Sequence, residues 1–208
     1  MKLAMFGGSG FVGAPALALA AERGHDVRAL MRSSNRDVPA GVDVVVGDVL
    51  DPEAVARTVA GCEAVVSTLG GWGDHESIDL GARNVLAAMR DEGIARIAFM
   101  EGFNIPFPGD PRNAGAIFID TVVRLRSPSH VRSQRRLGLL LQACDDLDWT
   151  MVRTPIVRAG DRTGRTEVGF LRMGPRSRVT TGDLAEALLD AVQDGRHLRA
   201  APMIRSRR

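Results

Sequence analysis

The sequence predicts an α/β fold, a doubly wound parallel sheet flanked by helices, and three observations carry that prediction. Short apolar runs alternate with amphipathic stretches from Leu3 to Met100. Glycines punctuate the joins, so each strand and helix is closed before the next begins. A glycine-rich loop, Gly7-Gly8-Ser9-Gly10-Phe11-Val12-Gly13, stands between the first apolar run and the first helical stretch. Parallel strands joined through helices require right-handed crossovers, which fixes the winding.

Taken in order, Leu3-Ala4-Met5-Phe6 reads as a buried strand, and Pro15 to Gly24 as a helix closed by glycine. Asp26 to Met31 and Val42 to Val46 read as the second and third strands. Asp51 caps the next helix with Pro52 in its first turn, and that helix runs to Gly61. Glu63 to Leu69 is a fourth strand, Ser77 to Asp91 a helix with Ile78, Leu80 to Gly81, Val85, Leu86 and Met89 facing inward, and Ala95 to Met100 a fifth strand. Residues 102–116 then break the alternation with Gly, Pro, Asn and Asp, too long a stretch for an ordinary connector. A helix is expected over 129–145, a sixth strand over Trp149 to Arg153, and a loop or hairpin from Gly160 to Gly174. Thr181 or Gly182 opens a last helix through Val192, with Asp183 in its first turn, and Ala200 to Ile204 forms a final strand.

With 208 residues and no internal linker or repeat, the chain reads as one domain over 1–208. Segments 102–130 and 155–180 are its substrate-side loops. A formal charge of +2 implies no nucleic-acid surface. No stretch approaches the ~20 apolar residues of a membrane span, and no secretory signal is visible. Cys62 and Cys144 form neither a metal spacing nor a disulfide framework, so no metal site and a cytoplasmic location are expected. The expected partner is a small planar molecule, with the chain a monomer or homodimer.

The glycine loop sits between strand and helix, the context of a dinucleotide site. Gly7 takes the backbone angles of a tight turn, Gly10 lets a pyrophosphate approach the main chain, and Gly13 lets the helix pack on the strand. The helix N-terminus offers unpaired N–H groups to the phosphates. After the second strand, where an NAD site carries a carboxylate, the chain reads Arg32-Ser33-Ser34-Asn35-Arg36. Arg32 can clamp a ribose 2′-phosphate with Ser33, Ser34 and Arg36 assisting, which favours NADP over NAD. Asp48 can accept from the adenine amino group while Val49 packs on the ring, or Asp48 can serve as a loop acceptor. Phe103, Ile105, Phe107 and Phe118 form either an apolar wall for a flat ligand or ordinary packing.

These residues resemble the atypical branch of the short-chain dehydrogenase/reductase superfamily, and within it the flavin reductase/biliverdin reductase B group. The likeness runs through Gly7 to Gly13, Arg32, Val45-Val46-Gly47-Asp48-Val49-Leu50, Thr58 to Gly61, Gly81 to Val85, Gly174 to Val179, and Asp183-Leu184. The resemblance implies a Rossmann fold binding NADP(H), with Gly7, Ser9, Gly10, Phe11 and Val12 at the phosphates and Arg32 with Arg36 at the 2′-phosphate. It puts Asp48 and Val49 by the adenine, Leu69 and Gly70 by the ribose, Pro155 and Ile156 at the nicotinamide amide, and His130 near the substrate.

Members with a Ser-Tyr-Lys triad reduce carbonyls by proton donation from the tyrosine. This chain contains no tyrosine, and Met100-Glu101-Gly102, Val131 and Arg135 stand where the triad would. Carbonyl reduction by that triad is therefore excluded. The resemblance then implies hydride transfer from NADPH to a planar conjugated acceptor such as a flavin, bound as substrate rather than as a prosthetic group. The alternative is a non-catalytic NADP-binding sensor of the NmrA type. His130 and Glu101 are the candidate catalytic groups, His130 as proton donor or anion ligand. Glu101 is an acid, an orienting acceptor or the ion-pair partner of Arg153, and the ion pair is favoured.

Overall fold

Unbroken burial along the first strand sets the architecture. In β1 (Lys2–Phe6), Leu3 and Met5 face one way and Ala4 and Phe6 the other, and all four are fully buried. Only a strand covered on both faces has this pattern. The computed structural model describes residues 1–33, 38–70, 76–111 and 114–207, apart from the side chains of residues 76, 77 and 116. Around β1 lie β2 (Asp26–Met31), β3 (Val42–Val46), β4 (Ala64–Ser67), β5 (Arg96–Gly102) and β6 (Asp148–Thr154), all parallel. The sheet continues through β10 (Met203–Ser206) to β8 (Thr166–Gly169), in the order β3-β2-β1-β4-β5-β6-β10-β8. Only β8 runs antiparallel. The order reverses at β1, and α/β sheets bind ligands at the carboxyl ends beside such a switch point.

Helices α1 (Gly13–Glu22) and α6 (Thr181–Asp194) cover one face, packing Ala16, Leu17, Leu184 and Leu188 on Leu3, Met5 and Val66. Helices α2 (Pro52–Val59), α3 (Glu76–Asp91) and α5 (Pro128–Gln142) cover the other, packing Val55, Val85 and Leu137 around Phe6, Val65 and Ile97. Leu80, expected on the inward face of α3, is instead exposed, because it stands two residues, about 200°, beyond the buried Ile78. Caps agree with the sequence: Asp51 accepts from Glu53 N at 3.0 Å, and Thr180 accepts from Asp183 N at 3.0 Å.

Past β5 the structure holds one element that the residue pattern hides. Within the 102–130 stretch, α4 (Ala114–Arg126) follows the Pro- and Gly-rich segment and packs on α5. Its Ile117, Phe118 and Leu125 are exposed, so it lacks the polar outer face that marks a surface helix. Segment 155–180 carries β7 (Ile156–Arg158) and β9 (Arg178–Thr180), which pair in parallel as a separate small sheet. Asp183 ties this excursion down by accepting from Thr163 N, Thr163 Oγ1 and Gly164 N at 2.7, 2.8 and 3.2 Å. Among the described residues, no helix is long and apolar enough to cross a membrane, and no group of three or more His, Cys, Asp and Glu could hold a metal ion.

Candidate functional site

The carboxyl ends of β1 to β4 converge on a cleft of about 160 Å³ lined by the glycine loop, Arg32, Asp48, Val49, Leu69 and Gly70. Its floor depends on glycine at two positions. Gly7 has φ of +80°, where a side chain is strained. At Gly13 a Cβ would lie 1.9 Å from the Gly7 carbonyl oxygen, so α1 can start this close to β1 only through glycine. The turn is closed by Gly10 N donating to Gly7 O and Ala14 N to Gly10 O, both at 2.9 Å. Val12 stands at the start of α1 with no side-chain cap, Ala14 N and Ala16 N are taken by the carbonyls of Gly10 and Val12, and Pro15 has no N–H to offer.

Thr68 braces this floor, although its place in an apolar strand gave no sign of it. Its Oγ1 donates to the carbonyls of Phe6 and Gly7, each at 3.1 Å, joining the end of β4 to the glycine turn. Asp48 accepts from Leu50 N through Oδ1 at 2.9 Å. It is thus a loop acceptor, and it also lines the cleft. Val49 is buried against Gly81 of α3, whose missing side chain admits it. Arg32 is exposed on the cleft and has no ion-pair partner among the described residues. Ser33 beside it is exposed. Ser34, Arg36 and the Gly71-Trp72-Gly73 run lie outside the described residues.

The structure thus gathers Gly7, Ser9, Gly10, Arg32, Asp48, Val49, Leu69 and Gly70 around one cleft. Phe11 stands exposed and Val12 buried at the start of α1. Pro155, buried, and Ile156, exposed, follow β6 at the same edge of the sheet but do not line the cleft. The end of β5 is tied to theirs, because Phe103 N donates to Thr154 O at 3.1 Å.

Beyond β5 the favoured pairing of Glu101 is corrected. Glu101 and Arg153 are neighbours in the β5–β6 register, yet they form no ion pair. Arg153 is fully buried and turns its fork onto Asp110, while its remaining donors reach the carbonyls of Ile105 and Ala201 at 2.7 and 2.8 Å. A doubly bonded carboxylate plus two carbonyls satisfies a buried guanidinium better than one strand neighbour can. Its charge also lies 5.1 Å from the Phe107 ring centre.

Glu101, 4% exposed, accepts instead from Gln134 Nε2 at 2.5 Å and from Gly102 N at 3.2 Å. Burial pushes its carboxyl up from an ordinary 4.5 to about 7, against the lowering effect of those two hydrogen bonds. His130 is buried one helical turn before Gln134 on α5. Neither His130 nor Glu101 lines the cleft or the second cavity nearby.

That cavity, about 320 Å³, lies between residues 103–120, the connection from β8 to β9 and the start of β10, with Phe103, Phe107, Ile117, Leu171, Met173 and Met203 on its walls. Phe103 and Phe107 are buried packing residues that also border this cavity. Ile105 is buried elsewhere in the core, and Phe118 is exposed on α4.

These features accord with known proteins. The sequence pattern of a family described as NAD(P)H-binding matches residues 7–195. A 2-alkyl-3-oxoalkanoate reductase from Stenotrophomonas maltophilia is 38% identical over 107 residues, 48% of this chain and 32% of that protein. The chain spans about a third of that relative's length. The uncharacterised protein YwnB of Bacillus subtilis is 26% identical over 214 residues, covering 95% of this chain and 94% of its own. Among solved structures, an anaerobilin reductase from Escherichia coli shares the fold with a TM-score of 0.81 at 21% identity, covering 99% of this chain and 97% of that one.

Proposed function

Because the chain belongs to the NAD(P)H-binding family, we propose that it is an NADPH-dependent reductase of a planar conjugated acceptor, with a flavin the leading candidate. The observation that carries this reading is the cleft at the carboxyl ends of β1 to β4, lined by the glycine loop, Arg32 and Asp48, with an aromatic-walled cavity past β5 as the candidate acceptor site. The cleft fits the cofactor. The glycines at positions 7 and 13 let the start of α1 pack against the end of β1 beside the cleft, and a helix start placed there suits a pyrophosphate.

In this reading the N–H groups around Gly10 and Val12 hold the pyrophosphate, and Arg32 with Ser33 meets the 2′-phosphate, Arg36 assisting. Asp48 Oδ2 accepts from the adenine, Val49 packs on it, and Leu69 and Gly70 border the ribose. Pro155 and Ile156 sit on the nicotinamide side. NADPH, when bound, supplies a hydride. The protein's contribution is alignment, since holding reacting atoms about 3–3.5 Å apart is the main requirement for transfer between flat rings. The proton comes from solvent, since neither His130 nor Glu101 lines the cleft or the cavity.

Steady-state oxidation of NADPH with riboflavin, FMN, FAD and a quinone tests the proposal. At least one acceptor accelerates oxidation above the solution rate. Tight NADPH binding with no acceleration for any of them would overturn it.

A chain without tyrosine also favours a second reading, a non-catalytic NADP-binding sensor of the NmrA type. That reading expects the same cofactor affinity with no turnover.

A further inference from the structure

Helix α4 carries more apolar side chain than its packing uses. Its inner face is satisfied, because Ile119 packs on the cluster of Phe103, Met173 and Met203 and the helix lies against α5. Its outer face is not polar. Phe118, Val122 and Leu125 follow at i, i+4 and i+7, the spacing of one helical stripe, and Phe118 and Leu125 are 64% and 78% exposed. Ile117, also exposed, widens the stripe towards the cavity past β5, whose wall it shares. Single exposed apolar residues are ordinary, but a contiguous stripe marks a surface that meets something.

The charge around the stripe identifies the class of partner. At about 100° per residue, Arg124 and Arg126 stand about 100° to either side of Leu125, so the stripe has an exposed arginine on each border. Residues 121–144 contain five arginines and no acid. Arg135 and Arg136 face Asp120 and Asp79 at 2.9 and 3.6 Å, whereas Arg124, Arg126 and Arg132 have no ion-pair partner among the described residues. A second copy docked here across a two-fold would set like charges against each other. An apolar ridge bordered by cations fits instead a helix lying in the interface of an anionic bilayer, its apolar side chains in the acyl boundary and its arginines reaching to phosphates.

We propose that α4 docks the protein on the surface of a bilayer rich in anionic phospholipid. Phe118, Val122 and Leu125 enter the interface, and Arg124 and Arg126 meet the headgroup phosphates. One stripe of this length gives reversible attachment and spans nothing. The cavity bordered by Ile117 then opens beside the lipid, where flat apolar molecules concentrate. The docking stands whether or not the protein is a reductase.

Co-sedimentation with sucrose-loaded vesicles tests this, comparing equimolar phosphatidylcholine and phosphatidylglycerol with phosphatidylcholine alone. Partition onto the anionic vesicles should be stronger by roughly tenfold or more, since each basic residue near such a surface adds about fivefold. It should weaken when salt rises from ~0.1 M to ~0.5 M. Phe118→Ser with Leu125→Ser, and separately Arg124→Gln with Arg126→Gln, should each lose roughly tenfold or more in partition while keeping the wild-type Tm and NADPH affinity.

Equal partition onto both kinds of vesicle, or none onto the anionic ones, would overturn the assignment, and that comparison needs no variant. Unchanged partition of either folded double variant would overturn it too. A dimer in solution that the Phe118→Ser, Leu125→Ser variant splits, with no vesicle binding, would give the stripe to a second copy instead.

Discussion

Arg153 and Asp110 form a two-pronged ion pair, at 2.6 and 2.5 Å, in which the guanidinium is fully buried. The pair fastens the segment after β5 to the strand beside it, and so shapes the wall of the second cavity. Burying an ion pair does not by itself stabilise a fold, but removing one partner strands the other charge in the interior. Asp110→Ala is therefore expected to cost about 3–5 kcal/mol. Urea unfolding should show a lower midpoint with an unchanged slope. A midpoint equal to wild type would mean that Arg153 finds another partner.

A Cβ at Gly10 would meet only Gly7 O, at a tight 3.1 Å, against 1.9 Å at Gly13. Gly10→Ala should fold with a small shift of that carbonyl but crowd the approach of the pyrophosphate. We expect thermal stability near wild type and NADPH affinity reduced at least tenfold, measured by titration of protein fluorescence. Unchanged affinity would move the phosphates away from this turn.

Arg32→Ala addresses cofactor choice. A charge-assisted fork on the 2′-phosphate contributes about 1.5–3 kcal/mol, less where solvent screens it, so NADPH affinity should fall roughly tenfold or more. NADH affinity should not change. Equal losses for both cofactors would show that Arg32 supports the cleft without reading the phosphate.

Glu101 gives a pH signature whose sign is fixed. Its carboxyl titrates near 7 in the fold and near 4.5 in the unfolded chain, so the native state holds the extra proton between those values. Stability due to this group is therefore greatest below about pH 4.5 and falls as pH rises towards 7, by a total on the order of 3 kcal/mol. Glu101→Gln removes that decline. Unfolding free energies of the two proteins should diverge across this window, with the variant gaining relative to wild type as pH rises. Parallel curves would show that Glu101 ionises normally.

Much of this was legible in the chain. The strand–helix alternation up to Met100 and the glycine loop follow from local chemistry, and Arg32, Asp48 and Gly70 meet in one cleft because parallel winding brings successive strand ends together. Helix α4 was not legible, since a Pro- and Gly-rich segment precedes it and its Ile117, Phe118 and Leu125 are exposed. Thr68 reads as one more strand residue until its hydroxyl is seen between two carbonyls. The partner of Arg153 lies 43 residues earlier in an irregular segment, where no periodicity points to it. Glu101, by contrast, had a strand neighbour of opposite charge in register, and the sequence had no means of showing that a better acceptor would claim it.

The most direct test of the central claim is anaerobic single-turnover reduction of riboflavin by the NADPH-loaded protein, followed through loss of the flavin's visible absorbance. The account predicts a first-order decay that saturates with protein concentration and exceeds the rate of free NADPH. A decay no faster than that of free NADPH, with the cofactor demonstrably bound, would contradict it.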